Sequence, residues 1–100
     1  MFIVTYRYSF PPEKAVDYIA LEQKAIQIYI EHGCLGVELY RDPQNPRKWM
    51  EINKYHDEKH QEEVNAAVNG DPRIEALFKE FLGLFEQGSA PLKETYLRML

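Results

Sequence analysis

The sequence contains few of the residues on which several reaction classes depend. Cys34 is the single cysteine among 100 residues, so an internal disulfide is excluded and a zinc site built from several thiolates is not expected. The serines, Ser9 and Ser89, stand outside any GxSxG nucleophile turn, and the sequence contains no glycine-rich phosphate loop. Serine-hydrolase and nucleotide-driven chemistry therefore have no support.

Long apolar runs and an excess of positive charge are also missing. No run approaches the roughly 18 residues of a membrane helix, and the start does not resemble a signal peptide. We therefore expect no membrane partner and a cytoplasmic location. The net charge of −4 argues against a nucleic-acid partner. The content of 45% hydrophobic and 28% charged residues predicts one globular domain over residues 1–100.

Six predicted elements follow one another along the chain. Strands are predicted at 2–8, 35–41, 48–56 and 93–100 from their β-branched and aromatic residues, with helices at 13–32 and from Asp57 to Gly88. The second helix should break near Gly70. The order βαββαβ predicts an α+β, ferredoxin-like fold, in which two helices cover one face of a four-stranded antiparallel sheet.

The alternation of residues along the strands predicts two different sheet faces. Met50 and Ile52 of the third strand are predicted to face the helices. The second face is predicted to be aromatic and charged, and includes Arg7, Glu38, Tyr40, Trp49, Glu51, Asn53, Tyr55, Tyr96 and Arg98. We expect Arg7 and Arg98 to form ion pairs with Glu38 and Glu51, either across the sheet or across a dimer. Such a face suits either a ligand pocket or an interface with a second copy of the chain.

A metal site is the weaker interpretation of the histidines. His56 and His60 are four residues apart, a spacing that can share a metal on a helix. The HExxH pattern is missing, however, and His56 precedes the predicted helix. We therefore expect no metal, and the role of both histidines stays open. Cys34 follows a helix end and is expected to pack in the core.

The central segment EHGCLGVELYRDPQNPRKWMEINKYHDEKH resembles the antibiotic-biosynthesis-monooxygenase-like group of dimeric α+β barrel proteins. The resemblance rests on Glu31-His32-Gly33, the run from Glu38 to Asp42, Asn45-Pro46, and Asn53-Lys54-Tyr55 followed by Asp57. It implies a homodimer of ferredoxin-like subunits with a small pocket in each. Some members of the group oxidise polyphenolic or quinol-like aromatics with O2 and no cofactor; others degrade haem or isomerise lactones.

The sequence departs from the family pattern at three positions. Asn53 stands where the family often has an acid, and Tyr55 stands where it has tryptophan. A histidine that often follows nine residues later is Val64 here, which removes a candidate acid–base group. Residues typical of the haem-degrading branch are missing as well. We therefore expect no haem and no other cofactor.

Two hypotheses about function remain. The first is a cofactor-independent monooxygenase for a small aromatic or quinol-like molecule, in a pocket between sheet and helices. Asn53, Tyr55 and Arg7 are its predicted catalytic residues, and the predicted substrate-binding residues are Tyr40, Trp49, Tyr96 and Arg98. The second is a homodimeric module that binds a small metabolite, or only assembles, without catalysis.

Overall fold

The sheet has the predicted ferredoxin-like topology. The structure is a computed structural model that describes residues 1–86 and 90–100. Four antiparallel strands form one sheet in the order β2-β3-β1-β4. The strands are β1 (Phe2–Ser9), β2 (Gly36–Arg41), β3 (Lys48–Tyr55) and β4 (Leu92–Leu97). The predicted α+β class is confirmed, and β1 and β3 are the central strands.

The first helix has the predicted boundaries to within a few residues. A short 3-10 turn (Pro12–Lys14) leads into α1 (Ala15–Glu31). Gly33, just after the helix, has a φ of 105°, which lies in the left-handed region that favours glycine at a helix end. The chain can therefore turn sharply from α1 into β2.

The second predicted helix consists of two helices, α2 (Glu58–Asn69) and α3 (Ile74–Leu82). Asp57 caps α2, because its carboxylate accepts a 2.7 Å hydrogen bond from the backbone N–H of His60. The predicted break near Gly70 is confirmed. The helix ends earlier than predicted, at Leu82, and the predicted stop at Gly88 lies outside the described residues. None of the described helices is long and apolar enough to cross a membrane.

The register of β1 and β3 corrects the predicted face of β3. Tyr6 lies opposite Glu51, and Val4 lies opposite Asn53. Directly opposite residues project from the same side of a sheet. The face that carries these four residues packs against the helices and is called the covered face below. The placement of Met50 and Ile52 on this face is wrong, since a shift of one residue reverses the side of every residue in a strand.

The covered face packs into two groups of buried residues. One group contains Phe2, Val4, Ile28, Cys34, Tyr55, Val64 and Val68. The other is mostly aromatic and contains Tyr8, Phe10, Tyr18, Leu21, Trp49 and Leu84. Tyr6 and Leu77 pack against both groups, so they lie between them. Cys34 is a core residue, as predicted.

The opposite side of the sheet is called the open face below. It carries Ile3, Thr5, Arg7, Glu38, Tyr40, Met50, Ile52, Lys54, Glu94 and Tyr96. In both buried groups, the helices pack against strand residues of the covered face. Tyr40 and Tyr96 remain nearly half exposed. In the described residues, both buried groups therefore join the helices to the covered face of the sheet.

Candidate active site

A cavity of about 580 Å³ lies between the covered face and helices α1 and α3. Its volume is within the range typical of sites for small organic molecules. The apolar and aromatic part of the lining includes Tyr6, Tyr8, Leu21, Ile26, Tyr29, Val37, Leu77, Phe78 and Phe81. The other polar side chains of the lining are Glu22, Glu51, Asn53, Asn69, Glu75 and Lys93. A largely apolar wall with a few polar groups can hold a flat ring and fix its orientation.

Asn53 places an open hydrogen-bond acceptor in this cavity. Its side chain is 2% exposed, and its Oδ1 has no hydrogen-bond partner among the described residues. An unsatisfied buried polar atom costs about 1–3 kcal/mol. Such atoms are rare in folded proteins. A ligand with a hydroxyl group would supply the missing donor.

Tyr55 lies behind Asn53 and does not line the cavity. Burial raises the pKa of Tyr55, and a hydrogen bond with the Asn53 side chain partly opposes that rise. Tyr55 is itself buried in the core, and its side chain projects from the same side of β3 as that of Asn53.

Glu22 of α1 and Glu51 of β3 form a carboxyl pair inside the cavity. Burial raises the pKa of Glu22, and a hydrogen bond with Glu51 partly opposes this. Burial also raises the pKa of Glu51 well above its ordinary value, and the hydrogen bond and charge of Glu22 raise it further. Glu22 is buried and Glu51 is half-buried, and two neighbouring carboxyl groups in such a site cannot both ionise easily.

The tyrosines of the cavity are protonated hydroxyl groups at neutral pH. Burial and the charge of Glu51 raise the pKa of Tyr6 to about 12. Burial also raises the pKa of Tyr8 and of Tyr29. These side chains can donate hydrogen bonds to a ligand. They do not serve as proton acceptors near neutral pH.

The structure separates the residues that the sequence predicts to form one site. Asn53 lines the cavity. Trp49 is buried in the aromatic group, where its ring stacks on Phe10 at a centroid distance of 5.7 Å. Arg7, Tyr40 and Tyr96 project from the open face. The prediction that these side chains share one face is wrong, because the sheet lies between them.

The predicted ion pairs of the open face also need correction. Arg7 lies 3.7 Å from Glu94, which also accepts a 3.0 Å hydrogen bond from the Tyr96 hydroxyl. Glu38 contacts Lys54 and the Tyr40 hydroxyl. Glu51 lies on the other side of the sheet, so it cannot pair with Arg7 as predicted.

Arg98 is placed beyond the end of the final strand. The strand stops at Leu97, although the sequence predicts a strand up to residue 100. The Arg98 Nε donates a 2.6 Å hydrogen bond to the backbone carbonyl of Leu100. Arg98 is not among the residues that line the cavity.

The sequence matches the antibiotic biosynthesis monooxygenase family over residues 1–69. The chain belongs to this family. The matched segment runs from β1 to α2 and includes Glu22, Glu51 and Asn53. The family assignment supports a monooxygenase function at the family level. No curated protein sequence matches the chain.

Solved structures share the fold of this family member at low sequence identity. SnoaB, a cofactor-independent oxygenase from Streptomyces nogalater, is 10% identical with a TM-score of 0.76, covering 99% of this chain and 93% of SnoaB. An antibiotic biosynthesis monooxygenase is 14% identical with a TM-score of 0.72, covering 98% of this chain and 100% of the other. Protein Atu4242 from Agrobacterium tumefaciens is 18% identical with a TM-score of 0.77, covering 97% and 92%. At these identities the likeness shows the fold.

The carboxyl pair of this monooxygenase-family chain is not among the site residues predicted from the sequence. Glu22 lies four residues after Tyr18 and four before Ile26, so helical periodicity places it on the apolar stripe of α1. A carboxylate on an apolar helix stripe is unusual, and this position could have identified Glu22 as a candidate site residue. Glu51 gave no comparable signal, because the alternation along β3 predicted that it faces away from the helices.

The histidine pair has a local structural role. The Nδ1 of His60 accepts a 2.9 Å hydrogen bond from the backbone N–H of His56. Among residues 1–86 and 90–100, no group of three or more histidine, cysteine, aspartate or glutamate side chains could hold a metal ion. Val64, at the position of the family histidine, is buried in the core.

Proposed function

We propose that the protein is a cofactor-independent monooxygenase that oxidises a small aromatic or quinol-like molecule with O2 in the cavity of the covered face. The observation that carries this proposal is the buried Asn53 acceptor in a cavity whose lining is mostly aromatic and aliphatic. The family assignment supports the reaction class. The fold shared with SnoaB, a cofactor-independent oxygenase, supports the same chemistry without an added cofactor.

The cavity residues suit an electron-rich ring. Phe78 and Phe81 of α3 offer ring surfaces for packing, and Asn53 can accept a hydrogen bond from a ring hydroxyl. The substrate itself supplies the electrons. For a phenol, one atom of O2 becomes a new ring carbonyl and the other leaves in water, while the substrate loses its O–H and one C–H hydrogen. The protein binds and orients the ring and excludes bulk water.

Oxygen uptake with a panel of hydroquinones, catechols and anthrones tests the reaction. Asn53→Ala should slow turnover by about a hundredfold, the usual effect of removing one positioned hydrogen-bonding group. Tyr55→Phe should have a smaller effect, because Tyr55 does not line the cavity. Asn65→Ala on α2, outside the cavity lining, is the matched control.

Two results of this experiment contradict the proposal in different ways. Uptake no faster than the uncatalysed rate across the panel would favour a binding module without catalysis. If the Asn53→Ala variant consumes oxygen as fast as the Asn65→Ala control, the reaction occurs at another site.

We propose that the open face is covered by a second copy of the chain in a homodimer. Ile3, Met50 and Ile52 give this face an apolar centre, and the surrounding ion pairs carry both signs of charge. A two-fold symmetric dimer can bury such a face against itself. This arrangement also fits the alternative of a homodimeric module without catalysis.

Light scattering at micromolar concentration measures the proposed assembly. The wild type should have the mass of a dimer, and Ile52→Lys should have the mass of a monomer because it places a charge in the apolar centre. Lys59→Ile, which makes the reverse substitution on the exposed surface of α2, is the control and should remain a dimer. A wild type that stays monomeric as its concentration rises would contradict the dimer.

A further inference from the structure

We propose that Glu22 and Glu51 together are the acid–base group of the oxygenation, taking the proton from a substrate hydroxyl and returning it to the water that is formed. This inference rests on the proposed function and narrows its substrate class. The substrate would be an uncharged phenol or hydroquinone that carries an ionisable hydroxyl in conjugation with the carbon to be oxidised.

The carboxyl pair lies beside the amide that would orient the ring. Glu51 and Asn53 are two residues apart on the same side of β3, which separates their backbone positions by about 6.6 Å along the strand. Glu22 reaches the same cavity from α1. A single aromatic ring can therefore contact the amide and the carboxyl pair together.

Two unsatisfied acceptors point to a ligand that donates hydrogen bonds. Glu22 is 8% exposed and Asn53 is 2% exposed. Apart from a proton that Glu22 can share with Glu51, the Glu22 Oε2 and the Asn53 Oδ1 have no partner among the described residues. A substrate with hydroxyl groups satisfies both oxygens. A carboxylate substrate would add a further acidic group beside Glu22 and Glu51 and be rejected.

The other ionisable groups near the pair do not compete for the proton. Tyr6, Tyr8, Tyr18 and Tyr29 surround it, and burial is the first cause of the raised pKa of each. They therefore stay protonated near neutral pH.

The remaining charged or titratable neighbours are a thiol and two groups of the lining. Cys34 is close enough to Glu51 for its charge to raise the pKa of that carboxyl. Its thiol donates to backbone carbonyls, including that of Gly36 at 3.4 Å. Glu75 and the exposed Lys93 also line the cavity. Among these groups, the carboxyl pair is the buried acceptor that combines a raised pKa with an open oxygen.

Protons and electrons are conserved over one turnover, and the carboxyl pair ends in the protonation state in which it began. A carboxyl pair that starts with one shared proton takes a second from the phenol hydroxyl, leaving a phenolate. The phenolate reduces O2 and combines with it, which forms a ring-bound peroxide anion. The C–H proton moves to the outer peroxide oxygen as the O–O bond breaks, giving the new carbonyl and hydroxide. The carboxyl pair returns its proton to hydroxide, which forms water and restores the starting state.

The pH profile of oxygen uptake in Glu51→Gln and Glu22→Gln tests the assignment. Each variant should lose about 10²- to 10⁴-fold in kcat, the usual contribution of a general acid–base group. The acidic limb of the wild-type profile should disappear, because a fully protonated pair cannot accept the phenol proton. Nitrophenols that are already ionised at the assay pH should be affected least. Glu63→Gln, on the exposed surface of α2, is the matched control.

An infrared measurement supplies a readout that is independent of turnover. The wild type and Glu63→Gln should show the C=O stretching band of a protonated carboxyl group at neutral pH. Glu51→Gln and Glu22→Gln should change the position and intensity of this band, since each removes one member of the shared-proton pair.

The outcomes separate this inference from the proposed function. An active wild type whose rate and acidic limb are unchanged in both Gln variants would overturn the carboxyl-pair assignment and leave the monooxygenase intact. A wild type that consumes no oxygen with any substrate of the panel would overturn the proposed function itself, and with it the catalytic role of the pair. Absence of the infrared band from the wild type would overturn the shared proton.

Discussion

The two faces of the sheet use acidic residues in opposite ways. On the open face, Glu94 pairs with Arg7 and Glu38 pairs with Lys54. On the covered face, the charge neighbours that raise the pKa of Glu51 are Glu22 and Cys34. Exposed ion pairs add little to stability, whereas a buried carboxyl pair is costly unless it binds a proton or a ligand. This difference supports the proposed placement of the chemistry on the covered face.

Removing one tyrosine from each face should give the largest contrast in stability. Tyr55→Ala should lower the free energy of unfolding by about 3–5 kcal/mol, because it leaves a large cavity in the core. In the monomeric Ile52→Lys background, which leaves the open face uncovered, Tyr40→Ala should change it by less than about 1 kcal/mol, because Tyr40 is 47% exposed in the single chain. Urea denaturation at micromolar concentration measures both. Equal losses would contradict the assignment of the two residues to faces with different burial.

The pH dependence of stability should have opposite signs on the two faces. The pKa of Glu51 is raised in the folded protein, first by burial, so ionisation opposes folding and stability falls as pH rises from the unfolded pKa toward the folded one. Glu51→Gln should therefore stabilise the protein at neutral and higher pH and flatten this decline. Thermal unfolding from pH 4 to pH 9 measures the effect.

Glu38→Gln provides the matched comparison on the open face. The hydrogen bond between Glu38 and Lys54 is the main cause of the lowered pKa of Glu38 in the folded protein. Ionised Glu38 therefore stabilises the fold above the pKa of the unfolded state, and this stabilisation is lost as pH falls through the folded pKa. Glu38→Gln should slightly destabilise the protein at neutral pH. A Glu51→Gln variant that behaves in the same way would contradict the buried, proton-sharing state of Glu51.

Arg7→Ala should have the smallest effect of these substitutions. Arg7 projects from the open face and its ion-pair distance to Glu94 is 3.7 Å, so in the monomeric Ile52→Lys background its loss should change stability by about 0.5 kcal/mol or less. Oxygen uptake should change by no more than about twofold. A large fall in turnover would show that the open face takes part in catalysis, as the sequence pattern alone suggests.

Local signals in the sequence predicted the fold well. Gly33 and Asp57 mark helix boundaries through backbone conformation and capping, which depend on a few neighbouring residues. The element order then leads to the ferredoxin-like topology. Met50 and Ile52, two residues apart on β3, were predicted from the alternation of residues along the strand to face the helices, and that prediction is wrong.

The failure at β3 has a physical reason. Alternation identifies the buried side of a strand when buried positions are apolar, but a cavity requires buried polar residues at some of them. Glu51 and Asn53 therefore resembled solvent-facing residues, and the pairing of β3 with β1 was needed to place them. Positions where a pattern misleads in this way are expected at functional sites.

Filling the cavity tests most directly whether the covered face is the catalytic one. Ala25 of α1 lines the cavity, whereas Ala20 of the same helix is exposed to solvent. Oxygen uptake should be largely abolished in Ala25→Trp, because the indole occupies the space of the substrate ring, and should be retained in Ala20→Trp. Circular dichroism of both variants establishes that each is folded. A folded Ala25→Trp variant that consumes oxygen as fast as Ala20→Trp would contradict the assignment of the active site to this cavity.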